Sequence, residues 1–161
     1  MECGKTLKKL NETDYKCVSG HMYFDNPAPA VGILPVKDDE VLVAVRGGEP
    51  DKGKLDPLGG FLNHSESAEE TVHREFFEET GAKIKILDRL SSQNVPYIGG
   101  KRALDLYFIV EIIEGDPAPR DDVADLIWLK IDEPLPDSMR HREPRQKIFT
   151  ELRAWHHNHK K

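Results

Sequence analysis

Three carboxylates stand where they can share one face of a helix: Glu75, Glu78 and Glu79, at positions i, i+3 and i+4. Like charges at that spacing repel by roughly 0.2–0.5 kcal/mol per pair. Arg74 offsets part of this, since Glu70 and Glu78 each sit one turn away from it. Residues 60–82, GFLNHSESAEETVHREFFEETGA, hold six acids against that single arginine, a local charge of −5. The whole chain carries 29 acids and 23 bases, a net charge of −6. Outside this segment the two signs are nearly balanced, so the acidity has a local cause. A solvated acidic face is the plainer reading of a charge run taken alone. Three carboxylates beside one arginine also suit a hard divalent cation, because magnesium takes oxygen ligands, commonly one or two carboxylates with substrate phosphates and water.

The elements that would position these groups are legible around them. Ser67 is an N-cap residue and Glu70, three residues on, completes a capping box. Ala68, Val72 and Phe76 recur every four residues and form a core-facing stripe. Gly81 ends the helix as its C′ residue. Upstream, Lys54 to Phe61 leads into the helix through Gly59-Gly60.

The order Gly60, five residues, Glu66, seven residues, Arg74-Glu75, two residues, Glu78-Glu79, one residue, Gly81 resembles the box of the Nudix hydrolases. Seven identities at fixed spacing arise by chance on the order of 10⁻⁸ to 10⁻⁹ per window. Phe76 and Ala82 depart from the family's aliphatic slots, which touches packing. Leu55 replaces an aromatic residue upstream, and Pro57-Leu58 inverts the usual order just before Gly59. The resemblance covers roughly residues 22–157. It implies hydrolysis of a nucleoside diphosphate linked to another group, with Mg2+ (or Mn2+) as cofactor. It further implies Glu75, Glu78, Glu79 and the Gly59 carbonyl as metal ligands, with Glu75 alternatively the water-activating base. Arg74 would orient a carboxylate, and Glu66, Gly60 and Gly81 would support the loop and helix. A distal carboxylate often assists in this family, and Asp121, Asp122 and Asp125 are the candidates; Asp121 and Asp122 lie in a loop, which suits a mobile base.

The substrate reading rests on fewer residues. Ser92 to Tyr97, SQNVPY, is similar to the run that marks NADH pyrophosphatases, without its tryptophan. Pro96 stands near the proline that marks ADP-ribose pyrophosphatases. Tyr97 offers a stacking face, and Arg46 and Arg102 offer charge to phosphates. ADP-ribose or an NAD(H)-like dinucleotide is therefore the expected substrate. A nucleoside-triphosphate pyrophosphohydrolase is the alternative, and a non-catalytic ligand sensor ranks below both because all box carboxylates are present.

Residues 1–22 read as a polar N-terminal extension and residues 23–161 as the Nudix domain. Tyr15 to Pro35 resembles the junction between a zinc ribbon and the catalytic domain in NADH-pyrophosphatase-like members. There the ribbon has two CxxC pairs, whereas here only Cys3 and Cys17 remain. With His21 they would make at most an irregular site, so no zinc is expected. The remaining order of elements reads as follows: strands over 30–36 and 41–45 joined by a hairpin, a strand over 82–90, a loop over 91–102, strands over 103–113 and 125–131, and a C-terminal helix over 143–157. That order gives an α/β/α sandwich around a central mixed β-sheet. The final histidines, 156, 157 and 159, read as a frayed end. No apolar run reaches membrane-spanning length and no secretory h-region opens the chain, so a cytoplasmic location and no membrane partner are expected. The net negative charge gives no footprint for nucleic acid; the expected partner is a small nucleotide, with a homodimer possible in principle.

Overall fold

The computed structural model describes residues 3–159. Three short antiparallel strands come first: β1 (Leu7–Lys9), β2 (Asp14–Cys17) and β3 (Met22–Phe24). They form a small sheet of their own, built mostly from the segment that reads in sequence as a polar extension.

The main sheet has seven strands: β4 (Ala28–Lys37), β5 (Glu40–Arg46), β6 (Leu55–Asp56), β7 (Lys83–Arg89), β8 (Gln93–Pro96), β9 (Arg102–Glu114) and β10 (Val123–Lys130). Its central order is β10-β5-β4-β9-β7; β6 adds to β5 and β8 to β9. The β4–β9 pair is parallel and its neighbours are antiparallel, so the sheet is mixed, as expected. One difference is β8. The segment read as a loop over 91–102 folds back antiparallel on the start of β9, with Val95 opposite Ala103. Val95 is buried there, and its burial outweighs the turn residues around it.

Side chains alternate across the sheet, and both faces are covered. Val31, Ile33, Phe108 and Val110 point to the face covered by α1 (Ala68–Thr80), where Val72 and Phe76 are fully buried. Leu34, Tyr107 and Ile109 point to the other face, against Ile148, Phe149 and Leu152 of α2 (Arg142–His159). This is the α/β/α sandwich. The tail expected to fray instead prolongs α2 to His159: His156 is buried and its Nε2 lies 3.0 Å from Asp39 Oδ1. No helix among the described residues is long and apolar enough to cross a membrane.

One local feature sets up the site. β4 pairs with β5 only at Val36↔Val41 and Lys37↔Glu40. Beyond that the segment 58–61 runs beside β4 instead, with Ile33 N–H donating to Leu58 O (2.7 Å) and Val31 N–H to Gly60 O (2.9 Å). This delivers Gly59 and Gly60 to the α1 side of the sheet.

Candidate active site

The N-terminus of α1 forms as its sequence requires. Ser67 Oγ accepts the Glu70 N–H at 3.2 Å, and Glu70 Oε2 accepts the Ser67 N–H at 2.8 Å, a complete capping box. Gly81 closes the helix with φ +74°. The helix therefore holds its carboxylates in a fixed rotation relative to the Gly59 segment.

Arg74 organises the acids. Its Nε and one terminal nitrogen pair with both oxygens of Glu66 at 2.7 and 2.9 Å. The other terminal nitrogen bridges Glu75 Oε1 (2.8 Å) and Glu78 Oε2 (2.9 Å). A further bond to Phe61 O at 3.0 Å ties the helix to the loop. Bidentate, charge-assisted bonds of this kind fix geometry as well as contribute energy. Glu66 also accepts from Asn63 N–H (3.0 Å), Asn63 Nδ2 (3.1 Å) and Thr71 Oγ1 (3.1 Å). With Arg74 first among these donors, its carboxyl is held well below the usual carboxylate range. Its lone pairs are taken by loop and helix, which suits a supporting role.

Glu79 is in the opposite position. It is only 6% exposed, and its Oε2 accepts the Gly59 N–H at 2.8 Å. Among the described residues no lysine or arginine forms an ion pair with it. Burial pushes its carboxyl up to about 9; the Gly59 N–H opposes this, and the charges of Asp122, Glu75 and Asp121 add to it. Glu75 is likewise raised, by burial first, with Arg74 pulling the other way. The pocket thus holds more negative charge than its own donors neutralise. Hard oxygen donors, buried side by side with a charge surplus, fit a divalent cation of the magnesium type.

Two glycines make the approach possible. Gly59 has φ +131°, and a Cβ there would lie 2.1 Å from Val31 O. At Gly60 a Cβ would lie 2.4 Å from Glu75 Oε1. The inverted Pro57-Leu58 does not disturb this path. Leu58 is fully buried in the α1-side core and its carbonyl is pinned to β4, so Gly59 still reaches Glu79.

These groups border a cavity of about 520 Å³, a size that suits a small-molecule ligand. Of the residues expected from the sequence, Gly59, Gly60, Arg74, Glu75, Glu79, Asp121, Asp122, Arg46 and Tyr97 reach its wall. Glu78 does not: its side chain is half exposed on the outer side of Arg74. Asp125 lies on β10 opposite Val45, away from the cavity, and its carboxylate accepts the Leu126 N–H. Pro96 and Arg102 pair with each other across β8 and β9, and Arg102 is bonded to Asn94 instead of facing the cavity. Tyr97 packs edge-on against Phe61, centroids 5.0 Å apart, at the cavity's lip.

Sequence reasoning missed a buried polar network in the cavity wall. Arg145, 4% exposed, donates from Nε and a terminal nitrogen to Asp56 Oδ1 (3.2 and 2.9 Å) and from the other to Asp105 Oδ2 (2.8 Å). Arg140 joins Asp56 (3.1 Å) to Asp51 (3.0 Å), and Tyr107 Oη donates to Asp105 at 3.0 Å. Asp56, Asp105, Arg140 and Arg145 all line the cavity. A signal existed: Arg145 falls at the helical spacing of Ile148, Phe149 and Leu152, a charge on the core stripe of α2. Asp105 is likewise a charge inside the most apolar strand, and buried charges need partners.

The NUDIX domain family model matches residues 26–152. The chain is 36% identical over 128 residues to the NAD-capped RNA hydrolase NudC of Chromobacterium violaceum, covering 76% of this chain and 47% of that one. It is 33% identical over 139 residues to the protein of the same name from Pseudomonas syringae pv. tomato, covering 83% and 49%. The chain thus spans about half the length of the curated relatives it matches. Among solved structures, a NUDIX hydrolase from Nitrosomonas europaea superposes with a TM-score of 0.76 at 21% identity, over 95% of this chain and 88% of that one.

Proposed function

The chain belongs to the Nudix family, and on that premise we propose that it is a magnesium-dependent pyrophosphohydrolase acting on ADP-ribose or an NAD-like dinucleotide. The observation that carries this reading is the buried Glu79 carboxylate beside Glu75 and Asp122, under-neutralised and facing a nucleotide-sized cavity. Gly59, Glu75 and Glu79 are the groups that would hold Mg2+ (or Mn2+), with Glu78 joining them from the rim. A bound divalent cation would shield the phosphate oxygens and lower the pKa of a coordinated water.

The chain's own residues do the rest by positioning. Arg74, itself at the cavity wall, keeps Glu75 and Glu78 oriented. Asp122 sits on a loop anchored by its carbonyl, which accepts the Gly47 N–H at 2.7 Å, and its side chain borders the cavity. It is the group best placed to take a proton from the attacking water. The water oxygen bonds to phosphorus, the bridging P–O bond breaks, and the leaving phosphate departs with the bond pair. The proton passes from Asp122 to solvent. Arg46, on the same wall, meets phosphate oxygens, and the Phe61–Tyr97 lip offers a base a stacking surface.

The relatives' name adds NAD-capped RNA as a substrate to test, since an NAD cap carries a pyrophosphate of the same bond class. The test is a product assay on the purified chain with Mg2+ and ADP-ribose, NAD, NADH, NAD-capped RNA and nucleoside triphosphates. AMP released from ADP-ribose or a dinucleotide is the expected result. Pyrophosphate from triphosphates alone, or no turnover of any of them, overturns the reading.

A further inference from the structure

The small N-terminal sheet has almost no core. Between residues 3 and 24 only Cys17 is buried, and β1 and β3 are exposed along their whole length. A unit this small does not hold together on apolar burial; such units depend on cross-links or metals. The sheet nonetheless brings three ligand-type side chains to one point.

The register does this. Leu7 pairs with Cys17 across β1 and β2, which returns the segment carrying Cys3 to the end of β2. A tight turn follows, closed by Gly20 N–H to Cys17 O (2.9 Å) and Cys17 N–H to His21 O (3.1 Å), with Gly20 at φ +87°. His21 is thereby folded back over Cys17. Cys3 Sγ lies 3.6 Å from Cys17 Sγ, and Cys17 Sγ lies 3.6 Å from His21 Nδ1. All three ligand atoms fall within 4.8 Å of one another.

These separations match one cation better than they match a bond between the thiols. Zinc takes thiolate at about 2.3 Å and imidazole at about 2.0–2.1 Å. Tetrahedral angles then place two sulfurs about 3.8 Å apart and sulfur and nitrogen about 3.5 Å apart. A disulfide needs about 2.05 Å, and both cysteines are free.

We propose that Cys3, Cys17 and His21 bind one zinc ion through two thiolates and an imidazole nitrogen. Among the described residues no fourth histidine, cysteine or carboxylate joins the group, so the remaining tetrahedral position goes to water or an exogenous ligand. This runs against the expectation that the two cysteines lack a metal. Each thiol gives its proton to solvent on binding. The ion would staple the start of β1 to the β2–β3 turn, taking the place of the missing core.

The test uses the untagged full chain, reduced and purified without chelators. Zinc content after gel filtration, competition with a chromogenic chelator, and the absorption spectrum of the Co2+-substituted protein are measured. The comparison is with His21→Asn, Cys17→Ser and the double variant His157→Ala/His159→Ala. His21 is exposed, so its replacement reads ligation with little effect on packing; the tail variant controls for adventitious binding by α2. One zinc per chain is expected, with a thiolate-to-cobalt charge-transfer band that Cys17→Ser abolishes. His21→Asn should weaken affinity by at least about tenfold, while the tail variant leaves it unchanged. No zinc uptake by the reduced chain, wild-type affinity in the His21 and Cys17 variants, or loss only in the tail variant overturns the proposal.

Discussion

Replacing Arg145 with methionine removes the centre of the cavity's buried charge network while keeping an unbranched side chain on the α2 core stripe. The arginine contributes three N–H bonds, at 2.8, 2.9 and 3.2 Å. Asp56 retains Arg140 at 3.1 Å, but among the described residues Asp105 retains only the Tyr107 hydroxyl, at 3.0 Å. Breaking a buried pair on one side costs about 3–5 kcal/mol, because the partner charge stays behind. At 161 residues that corresponds to a fall in Tm of roughly 10 °C. The loss should depend on pH. Burial already raises the Asp105 carboxyl, with the Arg145 charge opposing it; without Arg145 it rises further. An acid whose folded pKa exceeds its unfolded value contributes stability at low pH that disappears as pH climbs through the folded pKa. The variant should therefore be closest to wild type in mild acid and furthest from it above neutrality. Adding Asp105→Asn should recover about half the loss near neutral pH, since no charge then needs burial. Urea unfolding followed by circular dichroism measures all three. A loss below about 1 kcal/mol with an unchanged m-value, or a loss independent of pH, refutes the assignment of Arg145 as the compensating charge.

Glu79→Gln should reduce kcat at saturating Mg2+ by at least about a hundredfold and more than Glu78→Gln does, since Glu79 faces the cavity and Glu78 its rim; release of AMP or phosphate reads both. In chelator, wild type should lose stability as pH rises from the unfolded glutamate value towards the folded one, and the same variant should lack that fall. Glu79 has a folded pKa raised to about 9, so its stabilisation is full below the unfolded value and vanishes as pH rises through the folded one. Gly59→Ala should destabilise by about 1–3 kcal/mol or more through its left-handed φ and the clash with Val31 O, and should abolish turnover even where the protein stays folded. Ser67→Ala should cost about 1 kcal/mol and leave kcat near wild type at temperatures where the chain is folded, because the cap lies outside the cavity; an equal loss of activity would place the helix start inside the chemistry.

What could be read from the chain alone was what short-range physics controls. The capping box at Ser67 and Glu70, the stop at Gly81 and the inward stripe of Val72 and Phe76 are set within one helix by hydrogen bonds and periodicity, and all three recur in the fold. The same spacing put Glu75, Glu78 and Glu79 on adjoining positions and named the family. The apolar, β-forming runs over 30–36 and 103–113 were enough to place two buried strands, because a strand covered on both faces reads as nearly continuous apolar sequence.

Other outcomes depend on which distant segments meet. Asp121 and Asp122 reach the cavity and Asp125 does not, because β10 pairs with β5 from Val123 and carries Asp125 away along the strand. The stretch 93–96 becomes β8 only because β9 offers it an edge. Asp56, Asp105 and Arg145 come from two strands and a helix, up to 89 residues apart, and no local pattern couples them. Cys3 and His21 likewise gain a shared point only through the hairpin register that centres on Cys17. The sequence by itself thus determined the capped, acidic helix, whose order is local. The tertiary structure decided its surroundings, because burying a charge or assembling a ligand set depends on the neighbours that long-range packing supplies.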